Sequence, residues 1–217
     1  MATRPRTPPR FWDKIAPKYA ASPIRDPSAY EIWLARVVEH LGPQDTVLEV
    51  GCGTGSTALR LAPSVGSIVA SDYSPGMIEI AKERLAETGL TNVSCVVADP
   101  FDEVLDPDRV NDGKGYDAVM AFNFLHLADD PAATIARLRA MVKPGGLFIS
   151  KTVCLGGSKW LFGPMIAVMR AIGKAPRVHM LSLDGLDGMI VRAGFEILET
   201  QTFGKRAKGH FVVARKV

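Results

Sequence analysis

The spacing of apolar residues changes several times along this chain, and each change marks an element. Between residues 10 and 22, Phe11, Trp12, Ile15 and Tyr19 recur at helical intervals around Pro17. This predicts a short amphipathic helix with a bend. Asp26 before Pro27 reads as a helix start, since Asp accepts from the free N–H groups of a first turn and Pro fits there. That helix is expected to run to about Leu41 and stop at Gly42-Pro43. The period then shortens. Residues 46–50 are an apolar run ending in a glycine cluster, the pattern of a strand buried in a parallel sheet. Helices follow at 56–62, from Ser74-Pro75 to Gly89, and from Asp130-Pro131 to Lys143-Pro144-Gly145-Gly146. Strands are expected at 67–71, 93–98, 116–122 and 147–153. Such alternation argues for an α/β fold with a parallel sheet. The end of the chain differs. Residues 195–203 and 209–215 read as two strands joined by a basic loop, too short a link for a helical crossover, so an antiparallel edge is expected.

Composition narrows the class. The chain has 217 residues, 47% of them hydrophobic, enough for one sizeable core. Residues 10–217 read as a single domain, with residues 10–42 as N-terminal cap helices. Residues 1–9 hold three prolines and no apolar period, so they are expected to be a disordered basic tail. The net charge of +3 is too small to argue for nucleic acid. Its distribution is uneven: Arg4, Arg6 and Arg10 lie at the start, and Lys205, Arg206, Lys208, Arg215 and Lys216 at the end. These ends read as solvated, with contact to phosphate or anionic lipid as the other possibility. Three cysteines, Cys52, Cys95 and Cys154, make neither a disulfide framework nor a zinc spacing, so no metal is expected. No signal-peptide core and no run of ~18 apolar residues is present, and a cytoplasmic protein, monomer or homodimer, is the simplest expectation.

Candidate chemistry begins at Gly51-Cys52-Gly53-Thr54-Gly55. Bare backbone lets a ligand approach closely, and a following helix offers free N–H groups. The dinucleotide fingerprint Gly-x-Gly-x-x-Gly fails at Ser56. The spacing is instead Gly-x-Gly-x-Gly, preceded by Glu49. Alone, such a loop is a weak signal, since glycines also make plain tight turns. Asp72 and Asp99 end the next two predicted strands, which brings both carboxylates to the carboxyl edge of the sheet, where open α/β sheets bind ligands. For Asp72 a helix cap, and for Asp99 a turn with Pro100, are the structural alternatives.

Together these segments resemble the class I S-adenosylmethionine-dependent methyltransferases. Val47-Leu48-Glu49-Val50-Gly51-Cys52-Gly53-Thr54-Gly55 is similar to their first motif, and Ser71-Asp72-Tyr73-Ser74-Pro75-Gly76-Met77 to the second. Ala98-Asp99-Pro100-Phe101 resembles the third, Tyr116-Asp117-Ala118-Val119 the fourth, and residues 138–146 the segment before the fifth strand. The resemblance implies a Rossmann-like, seven-stranded, mostly parallel sheet with an antiparallel C-terminal strand and helices on both faces. It implies S-adenosylmethionine as cofactor and S-adenosylhomocysteine as product. By the same resemblance, Gly51, Cys52 and Gly53 line the methionine moiety through their backbone. Asp72 holds the ribose, and Tyr73 or Met77 packs on adenine. Asp99 accepts the adenine amino group beside Pro100 and Phe101, and Asn123 lies near the sulfonium. Residues 11–19 are similar to the start of the ubiquinone/menaquinone methyltransferase group, where Tyr19 would help cover the cofactor.

Methyl transfer needs chiefly alignment of two reactants, worth up to ~7–11 kcal/mol, and some acceptors also need a base. His126, after the fourth strand, is the candidate base; a packing or hydrogen-bonding histidine is the alternative. His179 is a second candidate, whereas His40 and His210 read as structural. The apolar insert at 156–180, rich in Met, reads as an acceptor-side lid or as a packed helix. The expected function is methyl transfer to a small, partly hydrophobic molecule. An RNA or protein methyltransferase is disfavoured because Asn123-Phe124-Leu125-His126 lacks the Pro-Pro-aromatic signature. A non-catalytic cofactor-binding regulatory protein is the third reading.

Overall fold

The helix starts hold because each has its cap. In the computed structural model, which describes residues 9–24, 26–156, 176, 178–203 and 208–217, Asp26 Oδ1 accepts from Ala29 N at 3.0 Å. Ser74 Oγ accepts from Met77 N at 3.2 Å, and Asp130 Oδ1 from Ala132 N at 3.0 Å. Each cap precedes a proline that needs no N–H partner. The helices so opened are α2 (Pro27–Glu39), α4 (Pro75–Ala86) and α5 (Pro131–Met141). α1 spans Pro9–Ala21, one residue earlier than its apolar period suggests; the rest of the expected tail lies outside the described residues. α3 is Ser56–Leu61 and α6 is Leu183–Arg192.

Seven strands form one sheet in the order β3-β2-β1-β4-β5-β7-β6. They are β1 (Thr46–Val50), β2 (Ser67–Asp72), β3 (Val93–Val97), β4 (Tyr116–Phe122), β5 (Val142–Cys154), β6 (Phe195–Phe203) and β7 (Lys208–Lys216). β1 to β5 pair in parallel. β7 is antiparallel to both β5 and β6, as expected, but it is interior and β6 forms the edge. Hydrophobicity explains the swap. Phe211, Val212, Val213 and Ala214 are buried on both faces, whereas β6 alternates with exposed Glu196, Leu198 and Thr200.

β5 also begins earlier than expected. Val142 pairs with Tyr116, and pairing resumes at Leu147 opposite Ala118, so Lys143-Pro144-Gly145-Gly146 bulges out of the strand. Lys143 pairs with Asp117 there.

Strand alternation feeds two apolar layers. Val47, Ile68, Met120, Ile149 and Phe211 meet α2, α3 and α4 through Trp33, Val37, Leu61 and Ile78. Leu48, Val119, Phe148 and Val212 meet α5 and α6 through Ile135, Leu138, Leu186 and Ile190. His40 and His210 are structural: His40 Nε2 lies 2.9 Å from Glu199 Oε2, and His210 Nε2 lies 2.7 Å from Asp187 Oδ1. The chain winds outward from β1 to β3, then returns to add β4 on the other side. The crevice is therefore at the carboxyl ends of β1 and β4, where such sheets bind ligands.

Candidate functional site

β1 delivers Gly51-Cys52-Gly53 to that crevice. Gly51, Gly53 and Gly55 have φ of +64°, +55° and +74°, a region that side chains disfavour. At Gly51 a Cβ would also lie 2.5 Å from Phe124 Cδ2, so only bare backbone fits between the loop and the segment after β4. The loop's donors are already engaged. Cys52 N donates to Ser71 O at 2.9 Å, and Gly53 N to Asp72 Oδ2 at 3.0 Å. At these two residues the loop therefore offers no free N–H donor for a phosphate.

The acids reinforce that polarity. Asp72 is almost fully buried, and its Oδ1 accepts from Ser74 N at 2.9 Å. Burial pushes its carboxyl up, and the two backbone donors oppose this. Asp99, at the end of β3, accepts from Phe101 N at 3.0 Å, and burial raises it likewise. Glu49 is the group the sequence left in the background. It is 2% exposed, one oxygen accepts from Ala58 N, and Oε2 has no partner. Burial pushes it up to about 8, with Asp72 adding to the rise. An orphaned carboxyl oxygen and a second buried acid suit a cation better than a pyrophosphate.

Two adjoining cavities share Tyr19, Gly51, Gly53, Phe122 and Asn123. The first, of about 440 Å³, brings together Asp72, Tyr73, Met77, Asp99, Pro100, Phe101 and His126 from the expected set. The second, of about 1130 Å³, runs under α2 and contains Glu49 and Cys52. Every expected site residue except the second candidate base, His179, thus borders one or the other. Tyr19 is half exposed at their shared mouth, with Cε1 3.7 Å from a Cβ placed on Gly53. Asn123 has φ of +52°, a strained turn directly after β4, and its N donates to Lys151 O at 2.7 Å.

His126 is 9% exposed and its Nδ1 has no partner. Burial, then the nearby Lys151 and His179 charges, lower its pKa to about 4, so the imidazole is neutral at physiological pH. His179 N donates to His126 O at 2.7 Å. The expected insert lies mainly outside the described residues; Pro176 and Val178 from its end line the first cavity.

Trp33 and Lys151 also line the cavities, although no motif marks them, and so does Trp12 of the 11–19 stretch, for which no role was expected. Helical spacing did place Trp12 on an apolar face. Asp13 pins that face: its Oδ1 accepts from Ser74 Oγ at 2.6 Å and Gly76 N at 3.0 Å.

This is a switch-point α/β fold whose crevice is lined by acids and apolar walls. A methyltransferase-domain family model matches residues 48–148. A demethylmenaquinone methyltransferase of Symbiobacterium thermophilum is 30% identical over 155 residues, covering 69% of this chain and 58% of that relative. The chain thus spans less than two thirds of the length of that curated relative. In fold it resembles geranyl diphosphate C-methyltransferase from Streptomyces coelicolor A3(2), solved with S-adenosylhomocysteine (TM-score 0.69, 15% identity, 88% of this chain and 79% of that one). It also resembles the [4+2]-cyclase SpnF (TM-score 0.68, 21% identity, 85% and 79%). Over residues 48–148 the chain is thus similar to methyltransferases, and its fold is one that S-adenosylmethionine-dependent methyltransferases share.

Proposed function

We propose that this protein transfers a methyl group from S-adenosylmethionine to a small, partly hydrophobic molecule by in-line displacement. The observation that carries the reading is the set of acids, buried Asp72 and Glu49 with half-buried Asp99, around a glycine loop whose Cys52 and Gly53 N–H groups are already paired. Bound S-adenosylmethionine supplies a methyl group on a positively charged sulfur, which a nucleophile displaces while the C–S electron pair stays with sulfur.

The residues divide the work. Asp72 accepts from the ribose hydroxyls with the lone pairs its backbone partners leave. Tyr73, Met77, Pro100 and Phe101 enclose the flat base, and Asp99 accepts from its amino group. Glu49, beside the glycine loop, lies toward the cationic end. Asn123, at the strained turn after β4, borders the reacting centre. α1 closes the site with Trp12 and Tyr19 and excludes water. His126 borders the first cavity, although its unpaired Nδ1 is itself buried. With a pKa of about 4 it is a weak general base, so alignment carries more of the rate than proton removal. The fold also serves a protein named as a [4+2]-cyclase, so methyl transfer has to be tested and not assumed.

Calorimetry with S-adenosylmethionine, S-adenosylhomocysteine and NAD is the direct test. Both sulfur compounds are expected to bind and NAD is not; NAD binding alone would overturn the reading. Labelled methyl donor with a metabolite mixture then reports turnover. Under single turnover, His126→Ala is expected to slow transfer more than about threefold, and a smaller effect removes His126 from the chemistry.

A further inference from the structure

The sheet divides at Asn123. Asp72, Asp99 and the glycine loop stand on the β3-β2-β1 half. The second cavity continues past Asn123 to the other half, where Lys151 and Val153 of β5, Phe203 of β6 and Gly209 of β7 form its far wall. α2 roofs it with Tyr30 and Trp33, and Trp33 packs on Phe122 at 4.9 Å between ring centroids. Three cations line this chamber: Arg60 pairs with Glu31, Arg84 donates to Thr54, Ser56 and Ala20, and the third is the Lys151 ammonium. Lys151 Nζ lies 5.4 Å from the Trp33 ring centroid. No carboxylate pairs with it among the described residues, although Glu49 lines the same cavity. Burial lowers its pKa. Gly209 leaves room for the stem, since a Cβ there would lie 3.2 Å from Lys151 Cε.

A desolvated ammonium held against one aromatic face, with space in front of it, is poorly compensated. We propose that Lys151 is the specificity-determining anchor of the methyl acceptor, and that the acceptor is a flat, mostly apolar molecule carrying an anionic oxygen. That oxygen meets Lys151 Nζ, and the body of the molecule lies along Trp33 and Phe122, beyond Asn123 from the donor site. The anionic oxygen belongs either to a carboxylate or to an ionised hydroxyl. Both give the charge-assisted hydrogen bond that a buried ammonium lacks. This inference rests on the functional reading above, in that the chamber adjoins a methyl-donor site.

The test is calorimetry on the full chain with saturating S-adenosylhomocysteine. The probes are 2-naphthoate, 2-naphthol and the neutral 2-naphthamide, which share one flat body. Wild type is expected to prefer 2-naphthoate, or 2-naphthol with an affinity that rises with pH, over 2-naphthamide by about tenfold or more. Lys151→Met is expected to erase the preference while 2-naphthamide and S-adenosylhomocysteine bind within about threefold of wild type, and Lys151→Arg to restore part of it. Whichever anion loses most identifies the source of the oxygen. No preference in wild type, or an equal loss for all three naphthyl probes in Lys151→Met, overturns the proposal. A loss confined to S-adenosylhomocysteine also overturns it, by making Lys151 a partner of the donor's own carboxylate. Failure of wild type to bind S-adenosylhomocysteine at all is a separate result, and it refutes the methyltransferase reading instead.

Discussion

Replacing Glu49 by Gln keeps the shape and one acceptor oxygen for Ala58 N while removing the ionisable group. In the folded chain Glu49 is held up to about 8, against an ordinary 4.5, because ionisation would bury a charge. Between those two pH values the folded protein keeps a proton that the unfolded chain has released. Stability of the ligand-free protein therefore falls as pH rises through this window. Taken to neutral pH, the cost is ~3 kcal/mol at ~1.4 kcal/mol per pH unit, an upper bound that structural relaxation reduces. Glu49→Gln is accordingly expected to match wild type near the lower end of the window. It gains up to that amount by neutral pH, and gains nothing further above about 8. Urea unfolding of both proteins across the range measures the difference directly. The same substitution is expected to weaken S-adenosylmethionine binding and to remove its rise in affinity with pH, since an ionised Glu49 is what faces a cation. A stability difference that stays flat from acid to mildly basic pH would refute the reasoning. It would mean that water or a shifted backbone already solvates Oε2.

Two further outcomes follow from the site's frame. Gly51→Ala forces a side chain into φ +64° and against Phe124, so a loss of ~2 kcal/mol or more is expected by denaturant titration, with impaired S-adenosylhomocysteine binding; wild-type values for both would show that the cradle has slack. Asp13→Ala removes the acceptor for Ser74 Oγ and Gly76 N and leaves Arg84 Nη2 to Ala20 O, at 2.8 Å, among the ties that hold α1. Calorimetry is expected to report about tenfold weaker S-adenosylhomocysteine binding as the cover loosens, and an unchanged affinity would show that α1 does not act as a cover.

The elements were legible in the sequence because their signals are local. Asp26-Pro27, Ser74-Pro75 and Asp130-Pro131 each combine a capping side chain with a residue that needs no N–H partner, and all three open helices. The run 46–50 before a glycine cluster reads as a strand entering a ligand loop, and spacing alone brings Asp72 and Asp99 to the same sheet edge. The start of β5 was missed because Pro144 and Gly145-Gly146 signal a stop, while the pairing of Val142 with Tyr116 depends on a partner strand.

What the sequence determined by itself was the order of helices and strands and the direction of the sheet. These follow from hydrogen bonds and periodicities that reach only a few positions along the chain. The tertiary structure decided which charges are stranded. Glu49 looks like any acid before a glycine loop until β1 becomes central and α3 closes over it. Lys151 looks like an ordinary lysine between Ser150 and Thr152 until β7 inserts beside β5 and Trp33 of α2 covers the ammonium. Desolvation depends on everything packed around a group, and those neighbours come from segments that only the completed sheet brings together.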